Sequence, residues 1–230
     1  MIILFGAEKG GTGKTTLAVN FAVMLGLYGR DVLLVDTDKQ GSASFWSNIR
    51  DESGVLPRIP CIQSFGKSLA KNILDFSQRY EDIVIDAGGR DSMELRYSLG
   101  VADSIVIPIQ PTQFDLMTLG QMSKLVEQAQ VLNPDLVACV VINRASTNPS
   151  VTDTQEAIEL ISDIHNLRLC KSILKERVSY QRSVREGLSI VESNQPDNKA
   201  IAEINGLFKE TYDAPEAEAA ETRCGFSSVR

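Results

Sequence analysis

The run Glu8-Lys9-Gly10-Gly11-Thr12-Gly13-Lys14-Thr15-Thr16 constrains this chain more than any other feature. It follows the short apolar stretch Ile2–Phe5 and leads into Leu17, Ala18, Phe21, Ala22 and Leu25, which recur at helical spacing. Glycines between a strand and a helix let successive backbone N–H groups turn toward one anion, and the helix N-terminus adds its dipole. In such a loop Lys14 reaches the β- and γ-phosphates, and the Thr15 hydroxyl ligates Mg²⁺. Gly10, Gly11, Thr12, Gly13 and Thr16 supply the rest of the cradle. A dinucleotide fingerprint fails, because no G-x-G-x-x-G can be laid on these glycines. The strict triphosphate-loop pattern G-x-x-x-x-G-K-[ST] is broken at one place, where Glu8 stands for glycine. The expected ligand is a nucleoside triphosphate with Mg²⁺.

Four further apolar runs set the fold expectation. Val32–Val35 ends at Asp36, Ile83–Ile85 at Asp86, Ile105–Ile107 at Pro108, and Val137–Ile142 at Asn143. Each is nearly continuous in Val, Ile and Leu, as in strands buried on both faces of a parallel sheet. Segments 67–78, 113–131 and 152–164 carry helical spacing between them. Alternation of this kind predicts an α/β domain with a mostly parallel, twisted sheet flanked by helices on both faces. Ligands of such sheets bind beyond the carboxyl ends of the strands, where the polar and glycine residues of this chain cluster. One domain is expected over 1–213. The stretch 214–230, rich in Ala and Glu and without apolar periodicity, reads as a disordered tail.

Composition narrows the function classes. Lys and Arg number 23 against 30 Asp and Glu, a net charge of −7, which excludes a protein that coats nucleic acid with its whole surface. Cys61, Cys139, Cys170 and Cys224 are too far apart for a metal knuckle or a redox CxxC and read as reduced thiols of an intracellular protein. The single histidine, His165, removes His-based triads and multi-histidine metal sites. No apolar run approaches the roughly 18 to 20 residues of a membrane span. With the first strand starting at residue 2, neither a signal peptide nor a preceding helix-turn-helix is expected, and the protein is expected in the cytoplasm.

Lys9-Gly10-Gly11-x-Gly13-Lys14-Thr15-Thr16 resembles the deviant Walker A motif of the ParA/MinD family of partition and positioning ATPases. In that family a signature lysine precedes the paired glycines, and the position of Glu8 need not be glycine. Val35-Asp36-Thr37-Asp38-Lys39-Gln40-Gly41 resembles its D-x-D-P-Q segment, and Ile83-Val84-Ile85-Asp86 its Walker B strand. Ile107-Pro108-Ile109-Gln110-Pro111-Thr112-Gln113-Phe114-Asp115 resembles its proline-containing strand exit near the nucleotide. The match runs over residues 1–212 in motif order. Lys39 departs from the family's proline, and Asp86-Ala87-Gly88-Gly89-Arg90 from its commoner D-T/C-P-P.

The resemblance implies a P-loop NTPase fold, Mg²⁺-dependent ATP hydrolysis, and a homodimer formed with ATP in which Lys9 reaches the partner's nucleotide. Phosphoryl transfer needs charge neutralisation and an oriented water. Asp38 is the candidate for orienting that water. Asp36 and Asp86 are candidates for the Mg²⁺ shell, Asp36 through a water. Each aspartate has an alternative as a helix N-cap or turn residue. Gly88 and Gly89, which can offer a backbone N–H to the γ-phosphate, and Gln40 and Gly41 form the candidate switch segments. The resemblance puts adenine contacts at Asn143 and Arg144; the alternative is a turn after the strand.

Arg168, Lys171, Lys175, Arg177, Arg182 and Arg185 face only Glu176 as an acid within that stretch. On a helical wheel Tyr180, Val184 and Leu188 share one face, and Arg182 and Arg185 another. A local basic patch suits contact with the phosphate backbone of non-specific DNA, with Lys171, Lys175, Arg177, Arg182 and Arg185 as the candidates. The alternatives are a solvated face or pairing with acids across a dimer interface. The resemblance further implies DNA binding in the ATP state, hence a place on the nucleoid, and a separate adaptor or centromere-binding protein that stimulates hydrolysis. A membrane-cycling regulator would need an amphipathic basic C-terminal helix, which 214–230 does not provide, so no membrane anchor is expected. A cluster-carrying ATPase would need paired exposed cysteines. A biosynthetic ligase built on the same loop would be exposed by substrate turnover.

Overall fold

The computed structural model describes residues 1–89, 91–148 and 150–213. Its strands are β1 (Ile2–Phe5), β2 (Val32–Asp36), β3 (Cys61–Gln63), β4 (Asp82–Asp86), β5 (Ser104–Ile109), β6 (Val137–Ala145) and β7 (Arg168–Lys175). They form one sheet of order β3-β2-β4-β1-β5-β6-β7 in which every pairing is parallel. The helices are α1 (Lys14–Leu27), α2 (Ser42–Glu52), α3 (Leu69–Ser77), α4 (Met93–Leu99), α5 (Gln113–Gln130), α6 (Asp153–Ser162), α7 (Val178–Arg185) and α8 (Asn198–Phe208).

Alternation of side chains along each strand divides the core into two layers. Leu4, Leu33, Val35, Ile83, Ile85 and Ile107 pack on one face against Leu69 and Ile73 of α3, Leu95 of α4, Leu119 of α5 and Ile161 of α6. Ile3, Phe5, Leu34, Val84, Val106 and Val141 pack on the other against α1, α2, α7 and α8, through Phe21, Trp46, Tyr180 and Leu207. Both faces being covered is why these strands read as unbroken apolar runs. β1 is central, with β4 on one side and β5 on the other, so the loops leaving all three strands meet at one edge.

The structure departs from the sequence expectation at three places. β5 continues through Pro108, paired with Val141, to Ile109. Val106 accepts from the Gly6 N–H, so Pro108, two residues on, turns its missing donor to the side where β1 has already ended. β6 likewise runs past Asn143 to Ala145. The two edge strands, β3 and β7, were not legible as strands. β3 has only three residues, and in β7 Arg168, Lys171 and Lys175 interrupt the apolar residues, with one side of its backbone outside the sheet. The basic segment is therefore not one helical unit: Lys171 and Lys175 lie on β7, and α7 ends at Arg185, before Leu188. The expected tail 214–230, Cys224 and Arg90 lie outside the described residues.

Candidate nucleotide site

The phosphate loop spans the gap between β1 and α1. Gly13 (φ 99°) occupies the N-cap of α1 and Gly11 has φ 78°, both in the left-handed region that suits glycine. A Cβ on Gly13 would also collide with the side-chain amide of Asn143. Asn143 is buried and donates from Nδ2 to the Thr12 carbonyl at 2.7 Å. This amide ties the exit of β6 to the phosphate loop, and Asn143 also lines the cavity beside it. Lys14 is buried, and its Nζ donates to the Lys9 carbonyl at 2.8 Å. Burial holds its pKa below the ordinary lysine value, against the pull of Asp86 and Asp38. A desolvated ammonium of this kind gains strongly from an anion placed beside it.

Three aspartates stand at the carboxyl ends of β2 and β4. The Thr15 hydroxyl donates to Asp86 Oδ2 at 2.7 Å, while the buried Oδ1 has no hydrogen-bond partner. Burial pushes Asp86 up to about 7; Asp36 and Asp38 add to the rise, and Thr15 and Lys14 oppose it. An orphaned, buried carboxylate oxygen beside a threonine hydroxyl is a donor set that suits a hard divalent cation. Among the described residues no three His, Cys, Asp or Glu side chains gather as a self-sufficient metal site. Thr15 with Asp86 is thus a partial set, of the kind that phosphate oxygens and water complete.

Asp36 is fully buried and committed to its own chain. It accepts from the Asp38 N–H at 3.0 Å and from the Ser44 N–H and hydroxyl at 2.9 and 2.8 Å. Those bonds shape the turn between β2 and α2 and present Asp38, which accepts from the Gln40 N–H at 3.0 Å and lines the cavity. Gly41 (φ 68°) caps α2.

The loop after β4 is wedged between these parts. A Cβ on Gly88 would stand 3.3 Å from the Asp38 carboxyl carbon, and one on Gly89 would stand 2.8 Å from the Gly10 nitrogen and 3.0 Å from the Lys9 carbonyl carbon. Lys9 pairs with Asp115 at 2.9 Å and sits 5.4 Å over the Phe114 ring. In the sequence Phe114 and Asp115 stand only as part of the strand exit. The available signal was Thr112 followed three residues on by Asp115, an N-cap pattern in which the Thr112 hydroxyl accepts from the Asp115 N–H at 3.3 Å. Gln110 and Arg144, at 3.2 and 2.9 Å, both donate to the Gly11 carbonyl, and Arg144 also pairs with Glu176 at 2.6 Å.

The cavity, open to one side, has a volume of about 460 Å³ and runs from Lys14 and Thr15, past Asp38 and Gly89, to Arg144 and the wall formed by Leu174–Arg177 and Tyr180. The basic residues of the 168–185 stretch do not share one face. Arg177 is held by Glu203 at 2.5 Å and lines the cavity with Lys175, whereas Lys171, Arg182 and Arg185 are exposed. No helix of the described residues is long and apolar enough to cross a membrane.

A family model for the CobQ/CobB/MinD/ParA nucleotide binding domain matches residues 3–190. The maintenance of carboxysome distribution protein A of Halothiobacillus neapolitanus is 27% identical over 203 residues, covering 88% of this chain and 92% of that protein. The chromosome-partitioning ATPase Soj of Thermus thermophilus is 30% identical over 161 residues, covering 58% of this chain and 65% of that protein. Among solved structures, apo McdA of Cyanothece shares the fold with a TM-score of 0.72 at 19% identity, over 90% of this chain and 98% of that one.

Proposed function

The chain belongs to the CobQ/CobB/MinD/ParA nucleotide-binding family, and from that premise we propose that it hydrolyses ATP to position an intracellular cargo. The observation that carries this reading is the convergence of Lys14, Thr15, Asp38 and Gly89 on one cavity at the switch point of the sheet, with Asp86 hydrogen-bonded to Thr15 behind it. Thr15 and Asp86 would hold Mg²⁺, whose chemistry there is neutralisation of charge on the β- and γ-phosphates. Lys14 turns from the Lys9 carbonyl to the phosphates. Asp38 orients the attacking water, held in place by the turn that Asp36 organises. Gly88 and Gly89, already against Asp38 and the phosphate loop, sense whether a γ-phosphate is present.

ATP closes a homodimer in which Lys9 leaves Asp115 for the partner's nucleotide. The dimer binds non-specific DNA through Lys171, Arg182 and Arg185 of each subunit, with Lys175 and Arg177 nearer the nucleotide. It lies on the nucleoid until an adaptor protein stimulates hydrolysis. The relatives named for carboxysome distribution and for chromosome partitioning support a positioning role of this type.

The test is co-sedimentation with non-specific duplex DNA under ATP–Mg²⁺ and under ADP–Mg²⁺ at several salt concentrations. Binding confined to ATP and falling steeply with salt supports the reading. A protein that hydrolyses ATP but binds DNA in neither state would move the matrix to a protein or membrane surface.

A further inference from the structure

We propose that Arg144 and Glu176 form a latch across the nucleotide cavity, and that Arg144 exchanges Glu176 for a phosphate of the incoming nucleotide. The proposal rests on the nucleotide-site reading above and assigns that site a built-in competitor. Arg144 is the one non-glycine position with positive φ (56°) among the described residues. Backbone conformations of this kind persist where the surrounding structure holds them and collect at ligand clamps. Here the guanidinium bridges two walls of the cavity: Nη1 donates to the Gly11 carbonyl of the phosphate loop at 2.9 Å, and Nη2 to Glu176 Oε1 at 2.6 Å.

The chemistry favours exchange. The Glu176 side chain is 56% exposed and that of Arg144 36%, so their attraction is screened by water. A triphosphate brings several negative charges into the same cavity, and a guanidinium fork matches phosphate oxygens in geometry as well as charge. Release leaves nothing stranded. The Gly11 carbonyl keeps the Gln110 amide at 3.2 Å, and the Glu176 N–H stays bonded to the Ala145 carbonyl at 2.9 Å. Opening therefore moves two side chains and leaves the backbone of β6 and β7 in place. With Arg144 gone, the Gly11 carbonyl has one side-chain donor in place of two, which loosens the loop that carries Lys9.

The experiment titrates a fluorescent ATP analogue and adenosine into wild type, Glu176→Gln, Arg144→Ala, Arg144→Lys and the Arg144→Ala/Glu176→Gln double variant, with thermal melts to verify folding. Loss of the competing carboxylate in Glu176→Gln should tighten the ATP analogue by roughly two- to five-fold. Arg144→Ala should weaken it, Arg144→Lys should recover part of the loss, and most of the Glu176→Gln gain should vanish in the double variant. Adenosine, which carries no phosphate, should respond to none of them. An unchanged or weaker affinity in Glu176→Gln, or an equal gain with and without Arg144, overturns the latch while leaving the nucleotide site intact. A folded wild type that binds no nucleotide overturns both.

Discussion

Lys9 Nζ lies 2.9 Å from Asp115 Oδ1, so the lysine that begins the phosphate loop is paired with the first turn of α5 in its own chain. The carboxylate is nearly buried, at 8% exposure, while the ammonium is 37% exposed over the Phe114 ring. If Lys9 serves the nucleotide of a second subunit, this pair has to break first, and its strength is subtracted from that of the dimer. Asp115→Asn should therefore lower the protein concentration needed for ATP-dependent dimerisation by up to about five-fold, the size of a screened ion pair. Sedimentation velocity with a non-hydrolysable ATP analogue reads this directly. A dimer that is weakened by the change would make Asp115 part of the interface instead.

Lys14 is the buried cation of the loop, and its Nζ donates to the Lys9 carbonyl. Its replacement by alanine removes the charge-assisted contacts to phosphate, so nucleotide affinity should fall by roughly ten- to a hundred-fold. Isothermal titration with ATP–Mg²⁺ measures it. Unchanged affinity and turnover would refute the phosphate assignment.

Asp38 lines the cavity. Asp38→Ala is expected to keep nucleotide binding while hydrolysis drops by about two to four orders of magnitude, the range of a lost general base. Phosphate release under single turnover separates the two effects. Normal turnover would hand the water to Asp86 or to a backbone group.

Gly89 faces the backbone of Lys9 and Gly10 rather than any side chain that could yield. Gly89→Ala must displace one loop or the other, and an ångström-scale shift at a phosphoryl-transfer site costs on the order of a hundred-fold in rate. ATP turnover should fall accordingly with little change in melting temperature. A variant that hydrolyses at the wild-type rate would show that the contact between the two loops is dispensable.

Arg50 carries a structural prediction away from the site. Its side chain is fully buried, forks onto Glu192 at 2.9 and 2.7 Å, and donates to the carbonyls of Pro57 and Gly187. Arg50→Ala removes the guanidinium from two carbonyls and from the Glu192 carboxylate, which keeps the Ser189 N–H but no counter-charge, a loss of about 3–5 kcal/mol that corresponds to a fall of roughly 10 °C in melting temperature. A melting curve within a degree or two of wild type would mean that water replaces the guanidinium at no cost.

The sequence by itself determined the phosphate loop, the buried strands and the positions of Asp36, Asp38 and Asp86. Those features are local: a glycine run between a strand and a helix, and apolar runs ending in a carboxylate, leave few alternatives for the backbone. Tertiary structure decided who meets whom. Asp115 holds Lys9, Asn143 braces Thr12, and Gly89 lies on Gly10 because β4, β1, β5 and β6 stand side by side in the sheet though far apart in the chain. The edge strands β3 and β7 were also settled there, β7 with Glu203 and Glu210 accepting from its outward N–H groups. An edge strand gains its backbone partners from distant residues and needs no continuous apolar run, so its pairing leaves little trace in local sequence.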